Sequence, residues 1–304
     1  TSKSVFGEYN LILSIIGLMS IVSIPGLNLA LLQSVGRGFD SSLRRAAQQR
    51  WLWSLAGVPL FLIMAIYYQK QGSDVLPAVL VVSAGFFPWL QATQTINSFF
   101  LAKKRFGVSA VFTSWSSITT LALVSAAILF SGKLIWILVG YFLGLVVPAT
   151  AGLVYAIKKL ARSSSGEDKK LLSYGYFLTG VQILPTVASQ LANILLAKFL
   201  GVEALAVFSV VGKFPGIVQT NFDVLFKPVT AKLAGQSKQE HVRVIKAHLM
   251  KFLIMGGVMF GGLWLMLPSL IGWFYGPTYS QAIGYSRLYA VFVLFLPLTW
   301  LLGD

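Results

Sequence analysis

Nine apolar runs, each long enough to matter to a membrane, follow one another along the chain, at about residues 9–33, 51–69, 76–101, 107–131, 134–157, 172–198, 204–230, 247–275 and 281–302. A helix rises 1.5 Å per residue, so about 20 residues cross a hydrocarbon core of about 30 Å. Backbone polar groups in that core have no water to bond, which leaves only helices and closed barrels. The runs lack the in–out alternation over about ten residues that barrel strands carry. The expected fold is therefore all-α, a polytopic helical membrane protein with about nine transmembrane helices visible. Composition agrees: 56% of the 304 residues are hydrophobic and 11% are charged, against about 25% charged in soluble domains.

The basic residues give the topology. Arg37, Arg44, Arg45 and Arg50 follow the first run, and Lys103, Lys104 and Arg105 the third. Lys158, Lys159, Arg162, Lys169 and Lys170 follow the fifth, and Lys232, Lys238, Arg243, Lys246 and Lys251 the seventh. The connections between hold only Lys3, Lys70, Lys133 and Lys198. By the positive-inside rule the Lys/Arg-rich loops are cytoplasmic and Thr1 lies outside. The formal charge of +15 is then an orientation signal that touches anionic lipids, and no nucleic acid is expected as a partner. The longest loop, KKLARSSSGEDKK, reads as a linker. It divides the chain into an N-terminal bundle at 1–158, a cytoplasmic linker at 159–171 and a C-terminal bundle at 172–304. There is no cysteine, which removes disulfides, thiolate metal sites and thiol nucleophiles. The start at Thr1 and the end at Asp304, just after a run, lead us to expect a piece of a longer protein.

Runs one and seven match at a shift of 195 residues. FGEYNLILSIIGL opens the first and LGVEALAVFSVVG the second, with SIIG at Ser14–Gly17 over SVVG at Ser209–Gly212. Six spans per copy keep both copies in the same orientation, so the repeat is a parallel one. These stretches, with FLGVEALAVFSVVGKFPGIVQTNFDVLFKPVTAKL and LIGWFYGPTYSQA at 270–282, resemble the O-antigen and exopolysaccharide flippases. Those form the polysaccharide-transporter branch of the MOP (multidrug/oligosaccharidyl-lipid/polysaccharide) superfamily. The resemblance implies two pseudo-symmetric helical bundles around a central cavity, with the first helix and the last two or more missing from this chain. It also implies a bacterial inner-membrane protein of lipopolysaccharide or exopolysaccharide synthesis. Its cargo would be a polyprenyl-pyrophosphate-linked oligosaccharide moved from the inner to the outer leaflet, with polysaccharide polymerase machinery as a partner.

Lys213 sits between Gly212 and the Phe214-Pro215-Gly216 stretch, ten residues and about 15 Å along the helix from Glu203, near the bilayer midplane. An ionisable group there costs at least about 2.5–3.5 kcal/mol unless it faces water or a partner. Asp223 is too far along the same helix to reach it and instead stands four residues before Lys227, in the favourable order for a pair. Lys213, Gly216, Thr220, Asp223 and Lys227 share one side of this helix, and Arg287 enters the ninth run from outside, where cavity lining and snorkelling are both open. Polar stripes mark other spans: Gln91, Gln94, Thr95 and Ser98; Gln182, Thr186, Ser189 and Asn193; Ser109, Thr113, Ser116 and Thr120. The last reads as helix packing. The two amide-bearing stripes fit either a cavity wall or packing.

The candidate substrate-binding residues are thus Lys213, Lys227, Arg287, Gln182, Asn193, Gln91 and Gln94, with Asp223 the candidate for ion coupling or the partner of Lys227. A cationic cavity suits an anionic pyrophosphate and repels cationic drugs. A multidrug exporter is the alternative, and a membrane-embedded enzyme of glycan assembly a weaker one. His241 and His248 stand by a basic loop, away from any acid/base constellation, and no G-x-x-x-x-G-K-[ST] pattern is present. We therefore expect neither catalytic residues nor a cofactor.

Overall fold

The computed structural model describes residues 2–161, 168–221 and 238–297, with the backbone alone at 238–249 and 252. Every regular element among the described residues is helical. Eight helices are long and apolar enough to cross a membrane: Lys3–Ser23, Ser42–Lys70, Leu76–Ala102, Phe106–Phe130, Leu134–Leu160, Leu171–Leu200, Val202–Asn221 and Leu253–Tyr275. The chain is a multi-pass membrane protein. The ninth run is described only as far as Pro297, as the helix Gln281–Ala290 and a 3₁₀ turn Val291–Phe295.

Several spans are broken, and side-chain chemistry explains where. Helix α1 (Lys3–Met19) gives way to a 3₁₀ turn at Ser20–Ser23 before α2 (Leu27–Gly36). The Ser20 hydroxyl donates to Gly17 O and the Ser23 hydroxyl lies 2.6 Å from Ser20 O, drawing carbonyls out of the helical ladder. Ile24 is left-handed at φ 54° and Pro25 follows, disfavouring helix at the residue before it. Helices α3 (Ser42–Leu55) and α4 (Gly57–Lys70) form the next span. Helices α5 (Leu76–Thr93) and α6 (Thr95–Ala102) are separated at Gln94, where the Thr93 and Thr95 hydroxyls donate back to Trp89 O and Ala92 O. Helices α7 (Phe106–Phe130) and α8 (Leu134–Tyr155) come next, and α8 ends in a π turn at Ala156–Leu160. No residue of α7 is buried, and Phe130 near its end is 91% exposed, as suits a span whose outer surface meets lipid.

Two compact units divide at Val202 and Glu203, whereas the sequence places the boundary at 159–171. The difference lies in α9 (Leu171–Leu200), which runs antiparallel along the whole first span. A methyl carbon on Gly7 would strike Val202 O, one on Gly17 the Gln190 side chain, and one on Gly26 the backbone of Thr179 and Gly175. Asn193 donates to Ser14 at 3.1 Å, Gln33 to Tyr174 at 3.1 Å, and Arg37 pairs with Asp168 at 2.6 Å. The residue numbers rise on one side as they fall on the other. Glycines along the seam let the two backbones approach, the usual means of helix association in lipid. The basic end of this unit is closed by a core of Leu27, Leu31, Leu43, Phe99, Phe100 and Ala156.

The second unit contains α10 (Val202–Val211), a continuation at 213–221, α11 (Lys238–Tyr275) and α12 (Gln281–Ala290). A turn at Gly276 (φ 76°) and a 3₁₀ turn at Pro277–Tyr279 join the last two. Burial first, then Tyr275 and Glu203 nearby, holds the Tyr279 hydroxyl above its ordinary range.

Candidate functional site

Arg50 is fully buried in the first unit, on α3, although the sequence groups it with the loop cations. Its flanks explain the placement: Ala46, Ala47 and Ser54 on the same helix are buried as well. Nε donates to Ser23 O at 3.3 Å and Nη1 to Asn28 Oδ1 at 2.7 Å. Nη2 lies 2.6 Å from Gln91 Oε1, 3.1 Å from Ser23 Oγ and 3.2 Å from Gln94 Oε1. All these partners are neutral. Guanidinium supplies five donors in a fixed fork, and here the fork joins the break in the first span to the break at Gln94. Broken helices are where transporters place polar chemistry, because irregular backbone in a membrane must be satisfied by protein or water.

The structure thus brings Gln91 and Gln94 together on one cation. Gln91 is buried and its carbonyl is taken by Arg50. Gln94 is exposed and also borders a cleft of about 210 Å³ with Asn97, Thr113, Ser116 and Ser117. Ser116 and Thr119 donate to carbonyls at Gly144 and Leu145, which is helix packing as the stripe on α7 suggests. Asn193 is half-buried and joins α9 to α1 through Ser14. Gln182 is half-buried on the same helix.

In the second unit Lys213 is exposed at a break. The amide missing at Pro215 is the one that would bond Val211 O, and the chain turns at Gly212 before the helix resumes, with Gly216 N donating to Gly212 O at 2.9 Å. Lys213 makes no ion pair among the described residues. The break falls within a few residues of the position that matches the Ser20–Pro25 break at the 195-residue shift. Arg287 is half-buried, with its guanidinium carbon 5.2 Å from the centre of the Trp264 ring and Nε donating to Trp264 O at 3.4 Å. Cation–π contact and a carbonyl together hold this charge against α11. Asp223 and Lys227 lie outside the described residues.

Arg50 is a functional candidate that the pattern of loop cations conceals. A signal is nonetheless present in the sequence: Arg50 directly precedes the apolar WLWSLAG, and Ser23, Asn28, Gln91 and Gln94 supply acceptors within other apolar runs.

Known proteins share this architecture. A family model described as polysaccharide biosynthesis protein matches residues 2–233. No curated protein matches the chain. Among solved structures, the chain is similar to an inward-facing conformation of a multidrug resistance MATE family transporter of the MOP superfamily. The TM-score is 0.68 at 11% identity, covering 99% of this chain and 80% of that one. The chain shares its fold with that transporter.

Proposed function

This chain belongs to the polysaccharide biosynthesis protein family, and we propose that it moves a polyprenyl-pyrophosphate-linked oligosaccharide from the inner to the outer leaflet by alternating access through a cationic cavity. The observation that carries the reading is Lys213: an exposed cation at a helix break, with no ion pair among the described residues. A charge about 15 Å into the span stays ionised only against water or an anion. A pyrophosphate supplies that anion once per cycle, and its departure returns the lysine to water.

In this reading Arg287 and Lys227 extend the cationic path, and Gln94, Gln182 and Asn193 offer amides to sugar hydroxyls. Asp223 takes up a coupled proton or pairs with Lys227. Arg50 keeps the two breaks of the first unit in register, with Gln91 as its anchor. The Lys/Arg-rich loops face the cytoplasm of a bacterial inner membrane, and the cargo is an O-antigen or exopolysaccharide unit passed on to a polymerase.

The test is flipping of a defined fluorescent lipid-linked oligosaccharide in proteoliposomes containing the full chain. Lys213→Ala is expected to abolish most transport at unchanged protein level, and Lys213→Arg to retain part of it. Flipping by Lys213→Ala at the rate of the unaltered protein overturns the assignment.

A further inference from the structure

Ser41, Arg44, Arg45, Gln48 and Gln49 recur at helical spacing on one side of α3 and line a cleft of about 810 Å³. Its other wall is Ile157, Lys158 and Ala161, on and just after the π turn of α8. The turn is wide because Ala161 N reaches back to Ala156 O at 2.9 Å, and π turns recur at functional sites. Ala156 and α3's Leu43 and Ala46 are buried in the same core, so both walls stand on rigid elements.

Arg44, Arg45 and Lys158 therefore line one concavity, with no carboxylate among the described residues of its lining; Arg45 is already engaged, so Arg44 and Lys158 are the two cations the cleft offers to a ligand. Among the described residues of the unit, the buried carboxylates Asp40 and Asp168 are engaged elsewhere: Asp40 with Lys103 at 2.5 Å and Asp168 with Arg37 at 2.6 Å. An orientation signal needs only charge on one side of the membrane. It gives no reason for Arg44 and Lys158 to line one cleft, where their like charges oppose each other. Further along α3, beyond Gln48 and Gln49, Leu52, Trp53 and Leu55 are exposed, so the basic surface runs into an apolar one along the helix axis. That sequence of chemistries matches a phosphate joined to an acyl chain.

We propose that this cleft is a binding site for the phosphate of an anionic membrane lipid, with Arg44 and Lys158 as principal ligands and the acyl chain along Leu52 and Leu55. The site is independent of the cargo the protein moves. Basic pockets on helix ends at the charged surface take such headgroups, each cation strengthening binding by about fivefold.

Native mass spectrometry of the full chain in detergent, titrated with phosphatidylglycerol or phosphatidylcholine, tests it. The expected result is preferential retention of phosphatidylglycerol, reduced about 25-fold in the double variant Arg44→Gln/Lys158→Gln. Retention in Arg44→Lys/Lys158→Arg and in the distant Lys133→Gln supports the site. Equal retention by the double neutral variant overturns the proposal, as does an equal loss in Lys133→Gln. In a second arm inorganic pyrophosphate is added without lipid. Pyrophosphate binding that depends on Arg44 and Lys158 in a protein that does not prefer phosphatidylglycerol overturns the lipid as the source of the phosphate.

Discussion

Arg50 Nη2 stands 2.6 Å from Gln91 Oε1, so the shortest bond of a fully buried guanidinium goes to an amide carbonyl. Ser23, Asn28 and Gln94 complete the ring of neutral acceptors. Removing the cation takes a donor from the buried oxygens of Ser23 and Gln91, at about 1–3 kcal/mol for each one left unsatisfied. Arg50→Met is expected to lower the thermal unfolding midpoint in detergent markedly, and Arg50→Lys to fall between, since an ammonium cannot reproduce the fork. Gln91→Glu gives the guanidinium a counter-charge and is expected to raise the midpoint while slowing transport. A midpoint unmoved by Arg50→Met contradicts the clamp.

Gly26 donates its amide to Thr179 Oγ1 at 3.0 Å. A methyl carbon there would lie 2.4 Å from Thr179 N and 2.5 Å from Gly175 O. Both atoms are backbone and cannot swing away. Gly26→Ala is expected to destabilise the protein by about 1–3 kcal/mol. Gly180, on the same α9, meets nothing within 4 Å, and Gly180→Ala is expected to be neutral or stabilising by about 0.5–1 kcal/mol. Equal behaviour of the two variants in thermal melts speaks against the seam.

The antiparallel register of the first span on α9 is open to cross-linking, because the chain has no cysteine of its own. Ser14→Cys with Asn193→Cys, which replace groups 3.1 Å apart, are expected to join under mild oxidation. The pair Ser14→Cys with Gln182→Cys, out of register along α9, is expected to stay open. Efficient joining of the second pair and not the first means a different register.

Membrane sidedness can be read from a single span. Arg105 and Ser131 flank α7 and are both exposed. Cysteines at these two positions are expected to react with an impermeant maleimide from opposite faces, Arg105→Cys from the cytoplasmic one. Labelling of both from the same side removes α7 as a span.

The spans are legible in the sequence because crossing lipid requires length and apolarity, and both are local properties of the chain. The break beside Lys213 is legible too, since Gly212 and Pro215 are close to it in sequence. Arg50 is not, because in the QQRWLW context its charge continues a series of loop cations, and its acceptors come from residues 22 to 44 positions away. The grouping of α9 with the first unit is hidden for a related reason. Ser/Gly-rich composition at 162–166 reports a connection, while the packing of the helix beyond it depends on Gly7, Gly17 and Gly26 meeting that helix or its end. Asp223 and Lys227 lie outside the described residues; of the proposed cationic path, Lys213 and Arg287 are described.

Ile24 holds φ at 54°, where a β-branched side chain crowds its own backbone and loses roughly 1–2 kcal/mol. A glycine would rest there without penalty; isoleucine makes the kink in the first span a stretched spring. The latch is Arg50, which bonds Ser23 on one side of Ile24 and Asn28 on the other. Arg50 therefore ties together both flanks of the one left-handed residue in the first span, and any change that loosens those bonds removes the support that holds Ile24 in its costly conformation.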